Sequence, residues 1–117
     1  MPFAISVGVP GVLAALELAH GKHGKLPWAR LFAPATKLAR DGFPVSRRLN
    51  ALLDWQGADA FDATARAYFF DAGGTARAVG SRLANPALAT TFETIGAGGA
   101  NAFYDGAIAA AIVGKVG

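Results

Sequence analysis

Two adjacent threonines are the first side chains in this sequence that could carry out chemistry. A threonine hydroxyl can act as a nucleophile in acyl transfer when a nearby base, such as the α-amine of an N-terminal threonine, takes its proton. Thr90 and Thr91 lie inside a helical pattern and are followed by Phe92 and Glu93. Because a peptide bond inside a helix is hard to strain toward self-cleavage, we predict that both threonines lie on a helix surface and are not catalytic.

The two histidines are the candidate metal ligands. His20 and His23 are three residues apart and would share a helix face if the helix continued through both. Gly21 is expected to end that helix between them, and a zinc site needs at least one further ligand. We therefore predict that both histidines are exposed or cap the helix.

Three aspartates could supply the paired carboxylates of an acid–base site, but no partner acid or base is evident near them. We expect Asp54, Asp59 and Asp62 to be loop and cap residues. The Gly73-Gly74 pair lacks the Lys-Ser/Thr that follows the glycines of a phosphate-binding loop. The sequence therefore predicts no catalytic, cofactor-binding or metal-binding residue, and no cofactor.

The two tryptophans offer the largest apolar side chains in the sequence. Trp28 and Trp55 could stack on a ligand, but large aromatic side chains more often anchor a core or an interface. We predict the anchoring role for both.

The composition limits the kinds of protein this chain can be. Of its 117 residues, 53% are hydrophobic and only 16% are charged, with a mean hydropathy of +0.34, whereas about 25% of residues are charged in a typical soluble domain. No uncharged apolar run reaches the roughly 18 residues of a membrane span. The chain therefore either self-associates or is part of a larger body that covers it, and we favour the larger body.

The charge pattern does not indicate nucleic-acid binding. The net charge is +3, from 11 basic and 8 acidic residues, and the basic residues are scattered rather than clustered on a stripe. The absence of cysteine excludes disulfides and thiolate metal sites. Residues 1–6 have neither a basic segment nor a long apolar stretch, so they do not resemble a signal peptide. The compartment stays open.

Apolar periodicity and helix-capping residues predict a mainly helical fold over residues 1–117, in one segment with at most a short strand. The first helix is expected from Val12 to His20. The second is expected from Trp28 to Arg40, with Pro34 kinking or splitting it. Phe43-Pro44-Val45 is predicted to be an extended link because Phe43 precedes a proline.

The third helix is expected from Arg47 to Gln56 with Ser46 as its N-cap. Its buried edge would be formed by Leu49, Leu52 and Leu53. Tyr68-Phe69-Phe70 is the best strand candidate, and Asp71 to Gly74 has the composition of a turn.

The last third of the sequence is predicted to be helical. A helix should start at Asn85-Pro86 and run to about Ile95, where Gly96, Gly98 and Gly99 end it. Its aligned apolar residues are Leu88, Phe92 and Ile95. A helical turn at Asn101–Tyr104 and a helix at Ala107–Val116 follow, with Gly106 at the bend between them. Phe103 and Tyr104 are expected to pack inward.

Several short motifs occur in the order and spacing of one protein family. They are Val9-Pro10-Gly11, the stretch from Pro34 to Val45, Phe70 to Gly74, Gly80, Asn85 to Ala89, Gly98-Gly99, and Phe103 to Ala109. Together they resemble the large subunit of gamma-glutamyltranspeptidases over nearly the whole chain. That family usually has an acidic residue after the glycine matched by Gly80, where this chain has Ser81, and we expect Ser81 to belong to a turn or cap.

The resemblance implies a parent of the N-terminal-nucleophile hydrolase class with a four-layer αββα core. The parent would cleave itself into a large and a small subunit. The new N-terminal threonine of the small subunit would attack a gamma-glutamyl amide, and an oxyanion site would stabilise the intermediate. The acyl group would then pass to water or to an amino acid. The family's substrate-binding arginine lies upstream of the segment matched by Val9-Pro10-Gly11, so no functional residue of the family falls on this chain.

The resemblance makes the remainder of the large subunit and the small subunit the expected partners, with no nucleic acid and no membrane. As an isolated chain, the protein is expected to be inactive and to self-associate through uncovered apolar surface, most simply as a symmetric dimer. Two alternatives stay open. The parent could be a related amidase or acylase of the same superfamily, or the chain could be a free-standing, non-catalytic helical interaction module.

Overall fold

The computed structural model describes residues 8–116 and is mainly α-helical. Helix accounts for 67% of these described residues, which otherwise contain one short two-stranded sheet, and this confirms the predicted fold class. The elements in chain order are α1 (Val12–His23), α2 (Trp28–Asp41), β1 (Phe43–Pro44), α3 (Arg47–Gln56), a 3₁₀ turn (Ala58–Ala60), α4 (Ala63–Phe69), β2 (Arg82–Leu83), α5 (Pro86–Gly98), α6 (Asn101–Tyr104) and α7 (Ala107–Val116).

The described residues form two compact units. The first contains residues 8–36 and 87–116, and the second contains residues 37–86. Each unit is described by itself below. That the whole chain is one segment of a large subunit stays a prediction.

Helix α1 is longer than the sequence predicted. It runs through Gly21 to His23, so the predicted end at Gly21 is wrong. A single glycine in a helix costs only about 1 kcal/mol relative to alanine, which is too little to end it. The helix ends where the Gly24 N–H donates to the His20 carbonyl at 2.6 Å. None of the residues in α1 is buried.

Helix α2 runs without a break from Trp28 to Asp41, with Pro34 inside it. Of the two predicted effects of Pro34, the split is therefore wrong, and the kink stays a prediction. A proline removes one backbone hydrogen bond and costs about 3 kcal/mol in a helix interior. Contacts before the proline offset that cost: the Trp28 Nε1–H donates to the Ile95 carbonyl at 3.1 Å, and the Phe32 ring lies 6.4 Å from the Phe92 ring.

In the second unit, α3 has the predicted bounds and the predicted cap. The Ser46 side-chain oxygen accepts the Leu49 N–H at 3.1 Å. Leu53 is buried and Leu49 packs against the same core, but Leu52 is 48% exposed, contrary to prediction. Successive residues are about 100° apart around a helix, so Leu52 is turned away from the face that Leu49 and Leu53 share.

The predicted strand at Tyr68-Phe69-Phe70 is wrong. Tyr68 and Phe69 end α4, which begins after Asp62, whose Oδ1 accepts the Ala65 N–H at 2.8 Å. This N-cap and the three alanines of the segment favour helix over the aromatic preference for strand. Only Phe70 is extended, in an isolated antiparallel bridge with Ala76.

The turn predicted from Asp71 to Gly74 is confirmed. The Gly74 N–H donates to the Asp71 carbonyl at 3.0 Å, and Asp71 Oδ1 accepts the N–H groups of Gly73 and Thr75, both at 2.9 Å. The turn brings Phe70 and Ala76 together. These two residues form the core of the unit with Leu53 and Ala58.

The extended link predicted at residues 43–45 has a partner that the sequence did not reveal. Strand β1 pairs antiparallel with β2, with Phe43 opposite Leu83 and Pro44 opposite Arg82. Val45 continues the pairing by donating its N–H to the Ser81 carbonyl at 2.9 Å. Ser81 itself lies in the predicted turn, where its hydroxyl donates to the Ala78 carbonyl at 2.6 Å.

In the first unit, α5 extends past its predicted end. Gly96 does not break the helix but lies buried within it, and a Cβ added there would be 3.5 Å from the Phe32 side chain. Of the aligned apolar residues, Ile95 is buried, whereas Leu88 is 40% exposed and its neighbour Ala89 is fully buried. The chain turns at Gly99, which has a φ of +74°. Helices α6 and α7 have the predicted bounds.

Two of the four glycines with a positive φ in the second unit allow a matched test of the sheet. Gly42 (φ +81°) lies where an added Cβ would be 2.7 Å from Arg82 Cγ and 3.0 Å from the Leu83 carbonyl, whereas Gly80 (φ +83°) has open space around it. Gly80→Ala should lower the free energy of unfolding by about 1–2 kcal/mol through backbone strain alone.

Gly42→Ala should cost a further 1–3 kcal/mol or so, because the methyl group also forces β1 and β2 apart. Urea unfolding of both variants measures the difference. Equal losses in the two variants would show that the close approach of β2 to Gly42 does not restrain the fold.

Candidate functional site

The adjacent threonines lie in α5, on the helix surface as predicted. The Thr91 hydroxyl donates to the Ala87 carbonyl at 3.1 Å, and the Thr94 hydroxyl donates to the Thr90 carbonyl at 2.9 Å. A hydroxyl that donates to its own helix backbone has its proton engaged by an acceptor that is not a base. The geometry thus describes helix-surface threonines, and their lack of a catalytic role stays a prediction.

Both histidines belong to α1, because the helix continues through Gly21. His20 is half-buried: its Nε2 lies 2.7 Å from the Leu26 carbonyl, and its ring contacts the Trp28 ring at 5.4 Å. His23 is exposed. Within residues 8–116, no three His, Cys, Asp or Glu side chains come together in a way that could hold a metal ion. His20 therefore contacts the segment that follows α1.

The three aspartates have separate structural roles. Asp59 pairs with Arg66 at 3.0 Å, and Asp62 caps α4, so the loop and cap prediction is confirmed for these two. It is wrong for Asp54, which lies inside α3 and is exposed. Gly73-Gly74 belongs to the turn described above.

The two tryptophans differ. Trp28 is the predicted anchor: its indole N–H donates to Ile95, and its ring packs edge-on against Phe32 at 5.1 Å. Trp55 is 80% exposed, so it does not anchor the core, and its predicted role as an interface anchor stays a prediction. It lies on α3 about 200° around the helix from the buried Leu53.

Two side chains have displaced pKa values, and both have structural causes. The pKa of the Asp41 carboxyl is lowered, first by its hydrogen bond with Lys37 and then by the positive charge of the same lysine. Burial raises the pKa of the Tyr68 phenol. An ion pair between adjacent turns of one helix and partial burial account for these shifts, so they do not indicate a catalytic pair.

The sequence did not reveal the role of Glu17. Its Oε1 accepts the N–H of Ala100 at 2.8 Å, across 83 positions of sequence. Ala100 is buried, and a Cβ at the adjacent Gly99 would lie 2.5 Å from the same oxygen. Tyr104 adds a second link by accepting the Ala14 N–H at 3.2 Å. The sequence did offer one signal, because Glu17 is the only acidic residue in the apolar helix α1. Its partner could not be predicted, because no sequence pattern marks the backbone N–H of Ala100.

A groove of about 690 Å³ runs along α5, α6 and α7 in the first unit. Thr90, Thr91 and Thr94 line one side, and apolar residues of α7 line the other. Phe103 borders the groove and is half-buried, whereas Tyr104 is 37% exposed. The inward packing predicted for both is therefore wrong for Tyr104.

A second cleft, in the second unit, contains two arginines whose charges are already engaged. Arg77 donates through Nε to the Tyr68 carbonyl at 3.2 Å and through a terminal nitrogen to the Ala67 carbonyl at 3.3 Å. Arg66 pairs with Asp59. Cations at the last carbonyls of a helix stabilise its C-terminus, so this arrangement holds α4 in place.

Comparison with known proteins gives one family. The sequence profile described as gamma-glutamyltranspeptidase matches residues 3–117. Glutathione hydrolase 3 of Arabidopsis thaliana is 39% identical over 110 residues, which cover 94% of this chain and 17% of that protein. This chain thus spans about one sixth of the length of that relative.

Solved structures agree with the sequence comparison. The gamma-glutamyltranspeptidase of Helicobacter pylori superposes with a TM-score of 0.86 at 31% identity, over 94% of this chain and 32% of that one. The transpeptidase enzyme CapD of Bacillus anthracis gives a TM-score of 0.84 at 33% identity, over 95% of this chain and 40% of that one. Among the residues described, no helix has the length and apolar character needed to cross a membrane.

The Glu17 contact allows a clean test of how α1 is held. Glu17→Ala should lower the free energy of unfolding by about 1–3 kcal/mol, because it leaves the buried Ala100 N–H without an acceptor. Glu17→Gln keeps an oxygen acceptor and should lose less than half as much. Thermal and urea unfolding of the two variants provide the comparison, and equal losses would mean that the side chain acts through its charge.

Truncation of Phe103 measures how much packing in the open groove contributes to the free energy of unfolding. Because the ring is half-buried, Phe103→Ala should cost about 1–2 kcal/mol, below the 3–5 kcal/mol typical of a fully buried phenylalanine. Urea unfolding gives the value. A loss under 0.5 kcal/mol or so would indicate that the ring contributes no packing.

Proposed function

Because the chain belongs to the gamma-glutamyltranspeptidase family, we propose that it is part of the large subunit of an enzyme that transfers gamma-glutamyl groups. The acyl donor would be a glutathione-like amide, and the acceptor would be water or an amino acid. The family match over residues 3–117 and the glutathione hydrolase relatives support this proposal. The relatives are much longer than this chain, so the activity is proposed for the parent enzyme.

The role proposed for this chain is structural, and one observation carries it: two apolar helices that bury nothing. In α1, Val12, Leu16 and Leu18 are 66%, 52% and 63% exposed. None of the described residues of α7 is buried either, and its Val113 is 69% exposed. Helices that are apolar on several sides are normally covered by other protein. In the proposed parent enzyme, α1 and α7 are covered by the remainder of the large subunit and by the small subunit.

The catalytic groups of the parent would come from outside this chain. The reaction needs a threonine hydroxyl beside a base, with hydrogen-bond donors aimed at the developing oxyanion. Here the Thr91 hydroxyl donates to the Ala87 carbonyl of its own helix. The chain would therefore hold the shape of the large subunit, and the small subunit would contribute the nucleophile.

Transpeptidation of a different acyl donor is the second candidate function. It is favoured by the likeness to the transpeptidase CapD, which at 33% identity is as close in sequence as the gamma-glutamyltranspeptidase structure at 31%. Residues outside this chain would select the donor, so the two candidates share the same structural role for the helices described.

The isolated 117-residue chain should not release p-nitroaniline from a gamma-glutamyl p-nitroanilide above the buffer rate. It lacks a positioned nucleophile and base, which together can account for many orders of magnitude in rate. Thr91→Ala is the control and should behave identically. Release above buffer that Thr91→Ala abolishes would contradict the proposal.

The genomic context tests the proposed parent directly. Sequencing the DNA on both sides of the coding region should show one continuous reading frame that ends in a small subunit beginning with threonine. Stop codons close on both sides would instead favour the free-standing interaction module.

A further inference from the structure

Helix α3 has one buried face and one fully solvent-exposed face. Leu49 and Leu53 face the core of the second unit, and the Asn50 amide donates to the Arg77 carbonyl at 3.0 Å. The opposite face, here called the outer face of α3, is exposed at every position. Its residues are Arg47, Arg48, Ala51, Leu52, Asp54 and Trp55.

The outer face carries the residue types that anchor protein interfaces. Trp55 is 80% exposed and Leu52 is 48% exposed. Tryptophan and arginine are enriched among the residues that contribute most to binding, because a large rigid ring and a planar cation lose little entropy for the area they cover. A tryptophan this exposed on a helix, with a leucine one turn away, indicates a surface that another molecule covers.

The charges on the outer face are placed against the dipole of their own helix. Arg47 and Arg48 are the first two residues of α3, where the positive end of the dipole disfavours cations. Asp54 lies in the last turn, where the negative end disfavours anions. In the described structure none of these three side chains has a hydrogen-bond or ion-pair partner.

A second copy of α3, packed antiparallel to the first, would offset the unfavourable position of all three charges. Its dipole runs the opposite way, so the cations of one helix lie beside the negative end of the other. We propose that the outer face of α3 binds the outer face of α3 in a second copy of this chain, as a symmetric antiparallel pair centred on Ala51. A two-fold contact of this kind needs a self-complementary surface, and this face has one.

The register follows from the positions in sequence. In a two-fold antiparallel pair centred on Ala51, a side chain meets those of the second copy that lie at about the same level and on the same side of the contact. Arg47 and Asp54 lie on one side of Ala51 around the helix, and Arg48 and Trp55 lie on the other. Arg47 then meets Asp54 of the second copy, and Arg48 meets Trp55 of the second copy. The first contact is an ion pair and the second is a cation–π contact. The small Ala51 side chain at the centre lets the two helices approach closely.

The pattern favours a second copy over an unrelated partner, because every charged group finds its complement in the same ten-residue helix. One helix pair buries little area, so the association is expected to be weak and reversible, with both partners folded beforehand. This association does not depend on the proposed enzymatic function. It would leave the apolar helices α1 and α7 free to be covered by other protein.

Engineered disulfide formation tests the centre and direction of the pair. The chain has no cysteine, so Ala51→Cys introduces a single thiol. Packed helix axes are about 8–10 Å apart and Cα atoms lie about 2.3 Å from each axis, which leaves about 3.4–5.4 Å between facing Cα atoms. The upper half of that range overlaps the roughly 4.4–6.8 Å between the Cα atoms of disulfide-bonded cysteines, and Ala51→Cys should form a covalent dimer under mild oxidation.

Gln56→Cys is the matched control on the same helix. In the antiparallel pair the two copies of residue 56 are about 15 Å apart along the axis, at about 1.5 Å per residue, so they should not cross-link. Equal cross-linking of both variants would indicate a parallel pair or non-specific aggregation, and no cross-linking of Ala51→Cys would indicate no pair. Either result would overturn the proposal.

A charge exchange tests the pairing itself. Arg47→Asp should weaken dimerisation at least tenfold in sedimentation velocity, because it places two carboxylates opposite each other. Arg47→Asp combined with Asp54→Arg should restore most of the affinity, since both pairs are re-formed with reversed sign. Both changes favour the isolated helix, so loss of folding does not explain a loss of dimer, and circular dichroism checks this.

Lys25→Asp makes the same change of net charge in the exposed segment between α1 and α2 and should leave dimerisation unchanged. Association that responds equally to Lys25→Asp and Arg47→Asp reflects net charge alone. Association that ignores both changes comes from the apolar helices of the first unit. Each of these outcomes, or a double variant that fails to dimerise, contradicts the pairing of α3 with itself.

Discussion

The contact between Glu17 and Ala100 is the constraint on which the first unit depends. Helix α1 buries none of its residues, so packing alone does not fix its position. The Glu17 carboxylate instead accepts the N–H of the buried Ala100, just after Gly99 turns the chain with a φ of +74°. A buried backbone N–H without an acceptor is costly. The hydrogen bond from Ala100 to Glu17 thus both satisfies the turn at Gly99 and attaches α1 to that turn.

The second unit is held by local chemistry instead. Ser46 and Asp62 each cap the helix that follows them, and Asp71 closes a turn of four residues. Its long-range contacts include the pairing of β1 with β2, where Gly42 leaves room for the Arg82 side chain. Because caps and turns are encoded by a few adjacent residues, this unit needs little core to define its shape.

That difference explains which features the sequence could predict. The cap at Ser46 and the bounds of α3 follow from neighbouring residues and were predicted correctly. Gly96 was expected to end a helix, but contact with Phe32 keeps it helical, and a contact 64 positions away has no local signature. The Phe70 bridge and the exposure of Trp55 also depend on tertiary neighbours. The family resemblance succeeded because it uses the order of many weak motifs along the chain.

The proposed function also rests on the contacts that individual side chains make. The polar groups of this chain mostly bind its own backbone: Thr91 donates to Ala87, and Arg77 donates to the last carbonyls of α4. Groups engaged in this way stabilise helices and are not free to move protons. Among the residues described, the outer face of α3 includes charged groups without a side-chain partner, and α1 and α7 include apolar side chains that are left uncovered. The exposed apolar surfaces of α1 and α7 support the proposal that this chain contributes to a gamma-glutamyltranspeptidase through contacts with other protein.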